Sequence, residues 1–162
     1  MTDTTSSRLS ELRQHEDELV FERFDHHDAW RLGSLMAVRA ITEEHGVAID
    51  IRRHDLVLFR CVLPGATADQ QEWIRRKSAT TLRFEQSTAL LHEEFSAKGF
   101  DPTRGGWLTP EDYTLAPGSF PVRVSGAGVV AAVTVSGLAS DDDHQFVVEG
   151  IRAFLKGDPS ND

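Results

Sequence analysis

Val129-Val130-Ala131-Ala132-Val133-Thr134-Val135-Ser136-Gly137 is the stretch on which the fold turns. Its two alternating sets are both apolar: Val129, Ala131, Val133 and Val135 against Val130, Ala132 and Thr134. Extended chain puts successive side chains on opposite faces, so a segment apolar on both is covered on both and belongs at the centre of a sheet. Phe120 to Ser125 lies just upstream, joined through Gly126-Ala127-Gly128, which predicts a hairpin. Further back, Val47, Ile49 and Ile51 alternate with Ala48, Asp50 and Arg52, predicting a half-buried strand over 47–53. His54-Asp55 turns that strand into Leu56 to Leu63, apolar apart from Arg60, and Pro64-Gly65 ends this second hairpin. Leu19 to Phe24 supplies a fifth, short strand.

Helical periods fill the gaps between strands. Over 27–45, Ala29, Leu32, Gly33, Met36, Ala37 and Ala40 fall on one face, with Asp25 or His26 ahead of the helix and Gly46 as its stop. A helix over 69–84 can be capped by Thr67 or Asp69, and 85–98 is a second helix or its continuation. Asp141 to Asp143 open the last helix, with Asp141 or Asp143 as the expected cap and Phe146, Val147, Ile151, Phe154 and Leu155 as its apolar side. Residues 99–118 read as a long loop. Two hairpins with helices between them predict an α+β domain, an antiparallel sheet flanked by helices. The expected organisation is a polar segment at 1–18 with room for a short helix, a single domain at 19–156, and a polar tail at 157–162.

Composition narrows the class. The 162 residues carry 17 basic against 26 acidic side chains, a net charge of -9 with His neutral. Phosphate recognition needs a basic surface, so no nucleic-acid partner is expected. One cysteine allows no intramolecular disulfide, and Cys61 inside an apolar run reads as a buried, inert thiol. No apolar run approaches the ~20 residues of a membrane span. Residues 1–10 are polar, unlike a signal peptide. The expectation is a cytoplasmic protein with no membrane partner.

Few residues suggest chemistry. Trp73, Lys77 and Phe84 share a helical face, and an inward lysine needs an anion, either a carboxylate or a bound ligand. The plainer alternative is a structural ion pair or a snorkelling stem. Ser136 and Gly137 end the central strand, and Gly137 permits close approach of a ligand or another chain. His144 sits in the first turns of the last helix, whose N-terminus would attract an anion, although the aspartates there oppose one. Ser136 as a nucleophile with His144 lacks the Gly-x-Ser-x-Gly elbow. Asp141, Asp142, Asp143 and His144 do not converge as metal ligands, and no metal site is expected. His26, His27 and His144 are equal candidates for an axial haem ligand, so the sequence selects none.

Trp73-Ile74-Arg75-Arg76-Lys77, Gly118-Ser119-Phe120-Pro121-Val122, and Val133-Thr134-Val135-Ser136-Gly137-Leu138 followed by Asp143-His144 occur here in one order. Together they resemble the HbpS/GlcG-like family, the "haem-degrading domain", and within it an uncharacterised cytosolic branch. The resemblance runs from about Leu19 to Leu155. One departure is Pro117-Gly118, where the branch usually has Gly-Gly. The resemblance implies a profilin-like fold with a five-stranded antiparallel sheet and symmetric, dimer-based homo-oligomers. An apolar loop carrying Trp107, Leu108 and Tyr113 is compatible with such assembly.

The favoured reading is an oligomeric protein that binds a small anionic ligand near a subunit interface. Its ligand-binding residues would be Lys77, His144, Trp73, Ser136 and Gly137. The cofactor is left open, with haem and a small carboxylate as candidates for the ligand. The alternatives are an enzyme acting on haem or a small carboxylate, and a scaffold without catalytic activity.

Overall fold

The computed structural model of the chain describes residues 2–157. Most of the polar tail expected at 157–162 therefore lies outside the described residues. Five strands form one sheet in the order β1-β4-β5-β2-β3. One hairpin is β2 (Ala48–Arg52) with β3 (Val57–Val62), the other β4 (Ser119–Val124) with β5 (Gly128–Ser136). β5 joins the hairpins by pairing antiparallel with β2, Thr134 opposite Asp50. β5 is thus central, as its two apolar faces require.

The sheet is mixed, not wholly antiparallel. β1 (Val20–Phe21) runs parallel to β4, with Val20 opposite Arg123. The other strands pair through hairpins or across them, which sets their directions. β1 and β4 are separated by most of the chain, so no tight turn forces them antiparallel.

α2 (His26–Thr42) and α5 (Ser140–Gly157) cover one face. There Ile49, Ile51, Val122, Val133, Val135, Met36, Val147 and Ile151 form the main core, all fully buried. Removing a side chain of that size from water stabilises by about 1.5–3 kcal/mol. Asp25 starts α2 with a reciprocal cap: its carboxylate accepts the Asp28 N–H at 2.8 Å, and that of Asp28 accepts the Asp25 N–H at 2.9 Å. The helix ends at Glu43, and Glu44 rather than Gly46 takes the left-handed conformation, φ 57°.

α3 (Ala68–Phe84) covers the opposite face, where buried Ala48, Ala132 and Ile74 are mixed with polar Asp50, Ser78, Ser119 and Thr134. Ser78 and Ser119 both bond to Thr134, at 2.8 and 2.9 Å. Asp50 is fully buried beneath α3 and accepts hydrogen bonds from Arg52 at 2.7 and 2.8 Å and from Arg60 at 3.0 Å. The half-buried strand expected at 47–53 is therefore buried on both sides. Its polar set is covered because two arginines neutralise the aspartate. β3 is one of the two edge strands, and its Val57 and Val62 are exposed despite the apolar sequence.

α4 (Thr88–Ala97) is a separate helix, because Glu85 adopts φ 57° and Ser87 recaps the chain by accepting the Leu90 N–H. The N-terminal segment forms α1 (Thr2–Glu18), anchored by Leu12 against Ala89 and Leu90. In the loop after α4, Leu108 is buried and Trp107 is exposed. Among the described residues, no helix is long and apolar enough to cross a membrane.

Candidate functional site

α3 lays Lys77 across the end of β5. Its Nζ donates to the Val135 carbonyl at 3.1 Å and to Asp143 Oδ2 at 2.9 Å. Both side chains of the pair are 3% exposed. The anion that the inward lysine required is therefore a carboxylate of the chain itself, three residues into α5. The other oxygen of Asp143 accepts the Leu138 N–H at 2.9 Å, tying the turn between β5 and α5 to the ion pair. Burial pushes the Lys77 pKa below its ordinary value, against the pull of Asp143. Burial likewise raises that of Asp143, against Lys77 and the amides of Leu138 and Gly137.

Two acceptors account for two of the three ammonium protons. Lys77 also forms part of the wall of a pocket of about 250 Å³, together with Gln70, Trp73, Ser136, Gly137 and Ser140. Trp73, Ala116 and Ser140 also line a neighbouring groove of about 530 Å³ that runs past His92, Phe95, Phe100 and Arg104. Four of the five expected ligand residues, Lys77, Trp73, Ser136 and Gly137, thus surround one cavity.

The start of α5 borders this cavity through Ser140. Its first intrahelical bond runs from Asp143 N–H to the Ala139 carbonyl at 3.0 Å, so Ala139 stands at the cap position and has no side chain to cap with. Neither Asp141 nor Asp143 plays the expected capping part. Asp143 is drawn to Lys77, and Asp141 lies 3.5 Å from Arg8 of α1.

His144 is not part of this cavity. It is fully buried on the other side of α5, its Nε2 3.2 Å from His15 Nδ1 of α1. Its Nδ1 has no partner among the described residues. Burial, with His15 and Arg8 adding to it, pushes its pKa down to about 3. His144 is therefore a neutral ring in an apolar setting beside Phe120.

Gly137 does permit a close approach, but by the chain itself. Its φ is 140°, and a Cβ there would lie 2.5 Å from the Gly46 carbonyl oxygen. Sequence reasoning missed the partners Asp143 and His15, and it missed the part played by Gly118. At φ 132°, a Cβ on Gly118 would sit 2.6 Å from the Val135 carbonyl oxygen and 2.7 Å from Lys77 Nζ. The one signal was the lone glycine kept in Pro117-Gly118 just before a strand. Among the described residues, no three His, Cys, Asp or Glu side chains group closely enough to hold a metal ion.

Residues 24–152 match the family described as haem degrading protein HbpS-like. α1 and β1 precede that segment. A UPF0303 protein of Streptomyces coelicolor is 44% identical over 154 residues, 95% of this chain and 98% of its own length. A UPF0303 protein of Acidobacterium capsulatum is 41% identical over 141 residues, 87% of this chain and 86% of its own. Among solved structures, the Ybr137w protein superposes with a TM-score of 0.85 at 27% identity, covering 96% of this chain and 94% of its own. HbpS does so at 0.66 and 19% identity, covering 81% and 89%. A PduOC:haem complex does so at 0.66 and 18% identity, covering 80% and 94%. The last two likenesses concern the fold alone.

Proposed function

The chain belongs to the HbpS-like haem degrading protein family, and from that premise we propose that it is an oligomeric binding protein for a small anionic ligand, taken up in the pocket beside Lys77. The observation that carries this reading is that buried Lys77 lines a pocket while its ammonium has acceptors for two of its three protons. A ligand carboxylate would take the third and approach the uncapped start of α5. Asp141 and Asp142 oppose an anion there, which favours a small ligand seated on the Lys77 side over a highly charged one.

Haem is one candidate, since PduOC was solved in complex with it. The 250 Å³ pocket does not offer a histidine, and His144 is sealed off and bonded to His15. The adjoining groove offers rings and a histidine to a flat, apolar group, although Glu93, Asp101 and Asp141 also line it and oppose acidic edges. His92 would ligate the iron, Phe95 and Phe100 would flank the ring, and Arg104 and Lys77 would meet the propionates. Haem bound there would supply redox chemistry at its iron. The exposed rings of Trp107 and Phe100 beside the groove suit a subunit interface, which would place the pocket at the edge of the assembly.

Two titrations test the reading. Haem is followed at its Soret band, and pyruvate, a small carboxylate, by calorimetry. Saturable binding of either, weakened about tenfold by Trp73→Ala with folding unchanged, supports the pocket. Trp73 suits this purpose because it is only partly buried and lines both cavities. Binding that ignores Trp73, or no binding of either ligand, removes it. Sedimentation over a range of concentrations tests assembly, and a monomer throughout would contradict the oligomer.

A further inference from the structure

The chain has 14 arginines and three lysines, Lys77, Lys98 and Lys156. Lys98 and Lys156 are exposed, whereas Lys77 is buried in a pocket wall. Where a buried carboxylate needs only a cation, this protein uses arginine: Asp50 is held by Arg52 and Arg60. An arginine stays protonated in any protein setting, while a lysine can give up its proton and become a nucleophile. The pocket is thus served by the one buried basic side chain that can become a neutral amine, and a proton acceptor stands 2.9 Å from it.

We propose that Lys77 is the amine of a carbonyl-condensing site and forms an imine with small 2-oxo acids held in the pocket of Trp73, Ser136 and Gly137. This rests on the reading of the same pocket as a carboxylate site and names the ligand class. Lys77 passes one proton to Asp143 Oδ2, leaving a neutral amine oriented by the Val135 carbonyl. The nitrogen lone pair attacks the ketone carbon, and the carbonyl electrons move to oxygen, which takes the proton back from Asp143. The carbinolamine nitrogen then loses its remaining attack proton to Asp143, the C–O bond breaks as Asp143 returns that proton to the leaving hydroxyl, and one water departs. The product is the imine, and no oxidant or reductant is consumed. Burial lowers the lysine pKa and raises that of the aspartate, and both shifts favour the first proton transfer.

The site differs from a plain ion pair in one further respect. The backbone of Gly118 closes one side of Nζ, where even a methyl group would collide. Nζ is thus fenced by Gly118, Val135 and Asp143, and the pocket is the direction left for a carbonyl carbon.

The test uses the unmodified full chain. It is incubated with pyruvate and cyanoborohydride, which reduces an imine to a stable secondary amine, and the product is mapped by peptide mass. The two exposed lysines are internal controls. The expected result is one adduct per chain on Lys77, roughly tenfold or more above Lys98 and Lys156. Labelling of Lys77 equal to or below the exposed lysines overturns the imine. Calorimetry on the same sample separates the two readings. Pyruvate that binds with dependence on Trp73 but leaves Lys77 unmodified overturns the imine alone. Pyruvate that neither binds nor labels overturns the imine, and the carboxylate reading with it.

Discussion

Asp143 and His144 are consecutive on α5 and face opposite environments. Asp143 meets a lysine beside an open pocket, and the pair is charged and held by backbone groups on both partners. His144 meets another histidine beneath α1, and the pair is neutral and sealed, with one ring nitrogen left unpartnered. The helix turns about 100° per residue, enough to send neighbours to different surroundings. The two pairs are both buried and both polar, yet only Lys77 and Asp143 line a pocket. On the proposed reading, the charged pair takes a ligand anion as a further partner of Lys77. The neutral pair can only be disrupted, since a second proton would set two N–H groups against each other.

Removing one member of the charged pair should have the largest effect. Lys77→Ala leaves Asp143 buried without its cation and should cost about 3–5 kcal/mol in denaturant unfolding. A loss below about 1 kcal/mol would mean that water already screens the pair, and the contrast with His144 would collapse.

The neutral pair should declare itself in acid. An unfolded histidine takes a proton below about 6.5, while native His144 resists until about 3. Its contribution is therefore intact above pH 6.5 and is lost as pH falls from there towards 3, by up to ~1.4 kcal/mol per pH unit. His15, also lowered by burial, adds in the same direction, while the raised carboxyls Glu16 and Asp143 oppose it. The difference between the native protein and His144→Leu isolates the ring. If the two stability profiles run parallel through this window, His144 is not the neutral, sealed group described.

The smallest effect should come from the α1 side. His15→Ala removes the partner of His144 Nε2 and should cost about 1–2 kcal/mol. Hydrogen exchange should quicken in α1 before it does in α3, because α1 packs on the body along one side only, through Leu12, the Glu16 carboxylate on the Ser87 N–H and the ion pairs of Arg8 and Arg13. Equal quickening in both helices would show that α1 and the body open as one unit.

Much of the fold could be read from local pattern. The two hairpins, the α2 face from Ala29 to Ala40 and the apolar side of α5 all follow from periods of two and 3.6 residues, which depend on near neighbours. The mixed sheet could not be read, because β1 and β4 share no turn. The burial of Asp50 was also hidden, since alternation shows which side chains share a face but not whether a helix covers it. At the site, the lysine was legible from its company with Trp73, and Ser136 and Gly137 from the end of the central strand. His144 was legible as polar and inward, but its surroundings were not.

The chain alone determined its strands, its helices and the side of each that turns inward, because backbone geometry and hydrophobic period act over a few residues. Only the tertiary structure decided which polar groups meet. Lys77 and Asp143 are 66 residues apart, and His15 and His144 are 129 apart. Such pairs form when packing of the apolar faces brings distant segments together and excludes water, so each buried polar group must take the partner that the fold places within reach.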